Sequence, residues 1–539
     1  MLFAAPSALA VLLAVVIPLV LLLVLFVWAG GHVFRLPAWI DDTLDGRSAP
    51  IIAGILGALI TLFVWGSLDA PAFIHDEDSY LLQARIFASG HWTGVTPPLP
   101  EFSVQPHVLV EPHLASKYPP GNAALLVPGI WLERPGLMPI VFSGLSGGLL
   151  FFLARRAGGS AVALVAWALW ATSRAGLLWR ASYFSENASG VLLLVAWFAL
   201  WRWTREQTLP ALVVVSICLA AMFLTRPATA VGFGVPLAVF VLSTTIARRS
   251  WRPLTIAVGA GLPILLITLA WQKEVLGDWF TNPFTEYSRQ YTPYDTPGFE
   301  FDAASLSRAL PPGLAAAWQP MVALHAMHTV GALPAILCQR VALLALTLGA
   351  EWRAFLIVLF VLGVATTRGP TRFAALSAAS LLGVYLIQAH PAQWVLYYEE
   401  AFPVFFVVAA VGLAWLGQKI DRFQPAHLRA VLVVAVVLMT PGLVSDVLAA
   451  RRTTDAYQRF SRSVAAALAA VPDEDAVVFL RYASGHNYDF LVPLNTPDYR
   501  TTRHWLVWDR GADDARLLAA TTRPAYRLDV DTGGVEKLR

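Results

Sequence analysis

Charge is scarce in this sequence. Only 14% of its 539 residues are Asp, Glu, Lys or Arg, 57% are hydrophobic, and the mean hydropathy is +0.62; an average soluble domain carries about 25% charged residues. That make-up excludes a water-soluble enzyme, a nucleic-acid binder and a disordered scaffold. Lysine is scarcer still. Lys117, Lys273, Lys419 and Lys537 are the only lysines among 38 basic residues, the rest being Arg, a bias of the kind GC-rich bacterial coding produces. Cysteine is nearly absent. Cys218 and Cys338 both lie in apolar stretches, which argues against a disulfide framework and a Cys-ligated zinc site. There is no internal repeat and no low-complexity linker, and a net charge of +3 says nothing about partners.

What the chain has in abundance is apolar runs long enough to cross about 30 Å of hydrocarbon. The first, at 8–29, has no basic residues ahead of it and is too long for the core of a signal peptide, so it reads as a true span. Further candidates lie at 51–70, 137–154, 160–178, 187–203, 209–224, 229–247, 253–271, 350–367, 372–389, 401–417 and 428–447. The expected fold class is an α-helical polytopic membrane protein of about twelve spans. Residues 122–133 are too short to cross and suit a partly embedded helix. Residues 314–348, interrupted by His325, His328, Pro334 and Arg340, read as interfacial or re-entrant.

Arginine placement sets the orientation. Arg35/Arg47, Arg155/Arg156, Arg202/Arg205, Arg248/Arg249/Arg252, Arg368/Arg372 and Lys419/Arg422/Arg429 share one side, the cytoplasmic one, only if 314–348 does not cross. The chain then divides into a membrane domain at 1–450 and a small soluble domain at 451–539. Large extracytoplasmic loops fall at 71–121 and 272–349. In the tail, VVFLRY (477–482), HWLVWD (504–509) and AYRLDVD (525–531) read as strands after a helix at 457–471, giving an extracytoplasmic α/β appendage.

Polar groups that could do chemistry gather in the first outward loop. Asp76, Glu77 and Asp78 follow a span directly, and Tyr80, Leu81, Leu82, Ile86 and Phe87 fall on one face of a helix lying at the membrane surface. A carboxylate pinned there is partly desolvated and can act as a general base; the same three acids also suit a plain helix N-terminus. Arg174, Arg180 and Arg226 stand at outward span ends, where Arg is expected to be rare, and guanidinium pairs well with phosphate. The alternative for each is an ion pair or snorkelling to the headgroups. Glu186 precedes the next span and faces Asp76 as a candidate second acid. His75, His107 and His113 match no zinc spacing, so no metal and no cofactor is expected.

These residues, in this order, carry a resemblance. A span, Asp76-Glu77-x-x-Tyr80, a surface helix and Ser116-Lys-Tyr-Pro-Pro-Gly121 resemble the C-type (GT-C) glycosyltransferases, in particular the bacterial protein O-mannosyltransferase and aminoarabinose transferase (ArnT-like) family. Ser185-Glu186-Asn187 resembles that family's second acidic motif, Leu224-Thr-Arg-Pro227 its span-end Arg-Pro, and Trp394-Val-Leu-Tyr-Tyr-Glu-Glu-Ala-Phe-Pro403 its Arg-Tyr-Tyr-x-Glu-Ala-x-Pro element. The family's Arg before the tyrosines is here Val395 or Leu396. The resemblance implies transfer of a sugar from a polyprenyl-phosphate carrier to an acceptor hydroxyl on the outer face of the membrane, with inversion at the anomeric carbon. It implies Asp76 as base, Glu77 supporting it, and Glu186 holding acceptor or sugar. Lys117, Arg180 and Arg226 would bind the carrier phosphate, and Tyr80, Tyr118, Tyr397, Tyr398 and Glu399 would line the sugar site. The implied partners are the lipid-linked donor, a lipid, glycan or protein acceptor, and membrane lipids, with no nucleic acid. The place implied is the bacterial inner membrane. A transporter or flippase of a lipid-linked sugar also needs many spans and a basic outer cavity, but transporters often show two related halves, and none is visible here. A polysaccharide polymerase or ligase would differ only in acceptor.

Overall fold

The computed structural model describes residues 38–292, 295–299, 310–349, 353, 355–421, 425–472 and 475–539; the run at 8–29 lies outside them. Helix α1 (Ala49–Trp65) has a proline in its first turn and closes on Gly66, whose φ of 86° lets its N–H reach back to Leu62 O at 2.7 Å. The surface helix α2 (His75–Ala88) follows, with its three acids in the first turn. A ribbon of β1 (Val108–Leu109) antiparallel to β2 (Ala115–Ser116) leads to the short apolar helix α3 (Pro120–Trp131).

Helix α4 (Leu137–Gly158) packs along α1 through glycines. A Cβ on Gly54 would stand 2.7 Å from Gly144 O, and one on Gly148 would stand 2.8 Å from Pro50 O. In lipid, where no hydrophobic force pulls helices together, such close backbone approach supplies the packing. Gly148→Leu is expected to part the two helices at a cost of about 1–3 kcal/mol, read as a lower melting temperature in detergent; an unchanged temperature would show that this crossing contributes nothing.

The run expected as one span at 160–178 is instead two helices, α5 (Ser160–Ala171) and α6 (Arg174–Arg180), meeting at 68°. The Ser173 hydroxyl accepts the Gly176 N–H at 3.5 Å, so a polar cap inside the apolar run starts a new helix in a new direction. The chain then alternates through α7 (Ser185–Glu206), α8 (Leu209–Thr225), α9 (Pro227–Arg248) and α10 (Arg252–Leu276). Beyond come α11 (Pro283–Tyr291), α12 (Pro312–Ala326), α13 (Leu333–Leu348), α14 (Phe355–Thr366), α15 (Gly369–Val384), a 3-10 turn at Val395–Ala401, α16 (Phe402–Asp421) and α17 (Pro425–Leu468). Among the described residues six helical segments are long and apolar enough to cross a membrane, the bent α5–α6 pair adds a seventh, and α1, α8 and α14 are shorter apolar helices.

The stretch at 314–348 begins and ends at one end of the bundle. Helix α10 finishes with Trp271 against Phe87 of α2, ring centroids 5.7 Å apart. Arg353, ahead of α14, donates to Leu169 O and Thr172 O (both 2.9 Å) where α5 ends, and it pairs with Asp446 at 2.8 Å. Between them α13 has the length and apolarity of a span. Yet its central Arg340 donates to Tyr385 O (2.6 Å) and Gln388 O (2.8 Å) just past α15, so its middle stands level with that end.

One helix, α17, carries the chain out of the bundle, and the expected boundary at 450/451 falls inside it. The expected strands form as β3 (Ala476–Arg481), β4 (His504–Trp508) and β5 (Ala525–Asp529), with α18 (Asp514–Ala520) between the last two. The central β3 pairs in parallel with β4 and β5, and an edge strand β6 (Val535–Lys537) adds antiparallel to β5. Strand β6 is three residues long with charged Glu536 and Lys537, a short blunted edge without the alternation that reveals a strand. The sheet domain is sealed to the first loop by Gln105, whose buried Oε1 accepts the backbone N–H of Leu494 (3.0 Å) and of Asn495 (3.2 Å). Trp508 Nε1 donates to Val104 O at 2.6 Å beside it. Gln105→Ala leaves those donors without a partner and is expected to cost about 2–3 kcal/mol, seen as easier proteolytic release of the tail; wild-type resistance would disprove the seal.

Candidate active site

Two polar clusters meet under the sheet domain at the end of the bundle where α7, α9 and α16 begin. The first is built on α2. Asp76 is 22% exposed. Tyr118 donates its hydroxyl to Asp76 Oδ1, while His75 Nδ1 and His107 Nε2 lie 3.1 and 3.4 Å from Oδ2. Burial works to raise the Asp76 carboxyl, but the two imidazoles more than offset it and hold it well below the ordinary range. Burial pushes His107 down to about 4 and Asp78 up to about 7. His113 stays exposed elsewhere in the loop.

Glu77 does not face this space. It is fully buried, and its two oxygens accept the backbone N–H of Phe73 (3.1 Å) and Tyr183 (2.8 Å). It ties α2 to the segment before α7 and positions Asp76, its neighbour on the first turn, without reaching into the cavity.

Tyr80 links the two clusters. Its ring stacks on Tyr118 with centroids 4.7 Å apart, and its hydroxyl lies 3.0 Å from Ser185 Oγ. Ser185 donates to Glu186 Oε2 at 3.2 Å. Arg226, held between α8 and α9 by the proline that opens α9, reaches Glu186 Oε1 at 2.5 Å and Glu400 Oε1 at 2.9 Å. It also donates to Tyr385 Oη at 2.7 Å. Glu400 is fully buried and accepts from Ser189 Oγ at 2.8 Å. Arg226, which the resemblance assigned to the carrier phosphate, is thus paired with two carboxylates.

The YYEE turn divides between two faces. In a 3-10 helix, side chains at i and i+3 eclipse, so Tyr397 and Glu400 point the same way. Tyr397 flanks Arg226, its ring 6.0 Å from the guanidinium carbon, and stacks on His390 at 4.4 Å. Tyr398, expected to line the sugar site, is instead buried with its hydroxyl 3.1 Å from His390 Nε2. Glu399 and Arg180 turn behind Glu186 into a small polar cavity also lined by Ser143, Ser146 and Asn187. Arg180 donates to Trp170 O at 2.8 Å and lies 4.0 Å over the Trp170 ring, so neither Arg180 nor Glu399 joins the Asp76 cluster. Glu400 was missed by the sequence reading; the signal was there in its three-residue spacing from Tyr397, had the turn been read as 3-10.

Lys117 is also occupied. It is buried, pairs with Asp295 of the second loop at 2.9 Å, and lies 4.2 Å over the Phe284 ring. The structure thus joins Asp76, Tyr80, Tyr118, Glu186, Arg226 and Tyr397 into one connected network, with Lys117 at its edge.

Fold and site together define a polytopic helical membrane protein with an acidic, aromatic site beneath a soluble cap. Among solved structures it is similar to ArnT from Cupriavidus metallidurans bound to undecaprenyl phosphate, at 15% identity and a TM-score of 0.50 over 89% of this chain and 93% of that one. The apo form of that ArnT matches at 18% identity and a TM-score of 0.42 over 77% of this chain and 69% of that one. The arabinosyltransferase EmbB from Mycobacterium smegmatis matches at 14% identity and a TM-score of 0.43 over 76% of this chain and 34% of that one. The chain shares its fold with that undecaprenyl-phosphate-bound ArnT. No protein-family model matches it, and no curated protein does.

Proposed function

We propose that this chain is a membrane glycosyltransferase that takes a sugar from a polyprenyl-phosphate carrier and passes it, with inversion, to an acceptor hydroxyl on the extracytoplasmic face. One observation carries the reading: a part-exposed carboxylate, Asp76, oriented by Tyr118 at the mouth of a buried polar network, on a fold shared with a protein solved with undecaprenyl phosphate bound. Asp76 orients the acceptor hydroxyl and takes its proton as that oxygen attacks the anomeric carbon. The carrier phosphate leaves from the opposite face, and preplaced cations stabilise its charge. Lys117 is the first such cation: the phosphate displaces Asp295 from it, since Asp295 rides on the loop and is 27% exposed. Arg226 keeps Glu186 and Glu400 in register and holds Tyr385 and Tyr397 against the sugar. The protein sits in the bacterial inner membrane, with Arg155, Arg156, Arg202, Arg205, Arg368 and Arg372 at helix ends remote from the site and cytoplasmic.

The test is a donor screen in nanodiscs. Short polyprenyl-phosphate sugars are offered to wild type and to Asp76→Asn, and release of polyprenyl phosphate is followed. Release by wild type that is lost in the variant supports the reading and names the sugar; tight carrier binding without release from any sugar favours a transporter. Lys117→Ala is expected to weaken donor binding by about 10- to 100-fold, the loss of one charge-assisted contact. Unaltered donor binding would remove Lys117 from the phosphate site.

A further inference from the structure

Three candidate ligand atoms converge at the mouth of the site. His75 and Asp76 open α2, and His107 comes from the loop just before β1. We propose that His75 Nδ1, Asp76 Oδ2 and His107 Nε2 bind one divalent ion of the zinc class, with a fourth coordination position open to solvent.

The spacing is the first argument. Asp76 Oδ2 lies 3.1 Å from His75 Nδ1 and 3.4 Å from His107 Nε2, and one ligand atom from each residue falls within 4.8 Å of the others. Tetrahedral zinc with bonds of about 2.0–2.1 Å has ligand–ligand edges of ~3.3 Å. The two edges through the carboxylate are already at that length, and the third is within 4.8 Å.

One nitrogen of the cluster is left without a well-formed hydrogen bond. His75 Nδ1 is buried and makes no hydrogen bond, despite its short distance to a carboxylate oxygen. Asp76 spends Oδ1 on Tyr118, which turns Oδ2 to the two imidazoles. The backbone adds a separate argument. His107 has φ of 64°, a conformation uncommon for a non-glycine residue and one that tends to mark functional sites. Its carbonyl is fixed there by Lys117 N–H (2.8 Å) and Ser79 Oγ (3.0 Å), so the loop holds this imidazole in place. Two nitrogens and one carboxylate oxygen suit zinc, and three protein ligands with an open position are the pattern of sites that bind a reacting hydroxyl or phosphate oxygen. The sequence reading left these histidines without a metal role because their spacing along the chain matches no zinc pattern; the fold, not the spacing, brings His107 to His75.

The proposal does not depend on glycosyl transfer and is tested without turnover. Full-length protein in nanodiscs is stripped with chelator, titrated with ZnCl2, and its bound zinc counted by mass spectrometry. Wild type is expected to hold about one equivalent, and His107→Asn and His75→Asn to bind at least ~100-fold more weakly. Asn tolerates the left-handed backbone at 107, and His75→Asn carries the test should the loop misfold. His113→Asn, in the same loop and exposed, is expected to bind as wild type does. Zinc should raise the melting temperature of wild type and leave that of His107→Asn unmoved, while the two metal-free proteins melt alike. Wild type that retains no more zinc than His107→Asn, or equal loss in His113→Asn, overturns the site. A protein full of zinc that transfers no sugar counts against the transferase reading alone; an active protein without zinc counts against this one alone.

Discussion

Asp76→Asn is expected to leave the protein folded and to slow sugar transfer by about 100- to 10,000-fold, the range for loss of a positioned general base. The substitution is isosteric, and the amide oxygen still accepts from Tyr118, so the α2 N-terminus keeps its shape. What disappears is the negative charge that draws the acceptor proton. The readout is release of polyprenyl phosphate under saturating donor, with carrier binding measured separately. Loss of release with binding preserved is the expected pattern. Turnover within about tenfold of wild type, a barrier change of only ~1.4 kcal/mol, would remove Asp76 from the chemistry.

Arg226→Met is expected to be the most destabilising single change at the site. The methionine fills similar space but leaves Glu186 and Glu400, 2% and 0% exposed, facing each other without a cation. Breaking a buried ion pair by removing one partner costs about 3–5 kcal/mol, because the remaining charge stays buried and uncompensated. The melting temperature in detergent should fall sharply, and adding Glu400→Gln should restore part of the loss by removing one of the stranded charges. If Arg226→Met melts as wild type does, the arginine is not what holds the two carboxylates in place. If Glu400→Gln deepens the defect, the repulsion account is wrong.

Much of this architecture was readable from one sequence because membrane physics leaves few choices. Backbone polar groups must be satisfied inside each segment, so apolar runs become helices, and α4, α9 and α10 coincide with theirs. The exceptions have local causes. Ser173 breaks one expected span into α5 and α6, and Arg340 holds the middle of α13 level with the site end of α15. In the site, Asp76, Glu186 and Arg226 stood out because a charge beside a lipid-length run is rare. Glu77 and Asp76 looked equivalent on paper, as did Tyr397 and Tyr398. Which member of each pair faces the cavity depends on helix phase and on partners from distant segments, and a motif records neither.

By itself the sequence determined the helical membrane class, the positions of most of the apolar helices and the two acidic patches, since these follow from hydropathy and from the cost of charge near lipid. Tertiary structure alone decided which of those acids is open and which is tied down. It paired Arg226 with a glutamate 174 positions away in the chain, caged Lys117 with Asp295, and set two histidines around one oxygen of Asp76. The reason is that electrostatic and coordinate contacts act over a few ångströms in space and are indifferent to separation along the chain, whereas hydropathy acts on contiguous segments and is written in the sequence directly.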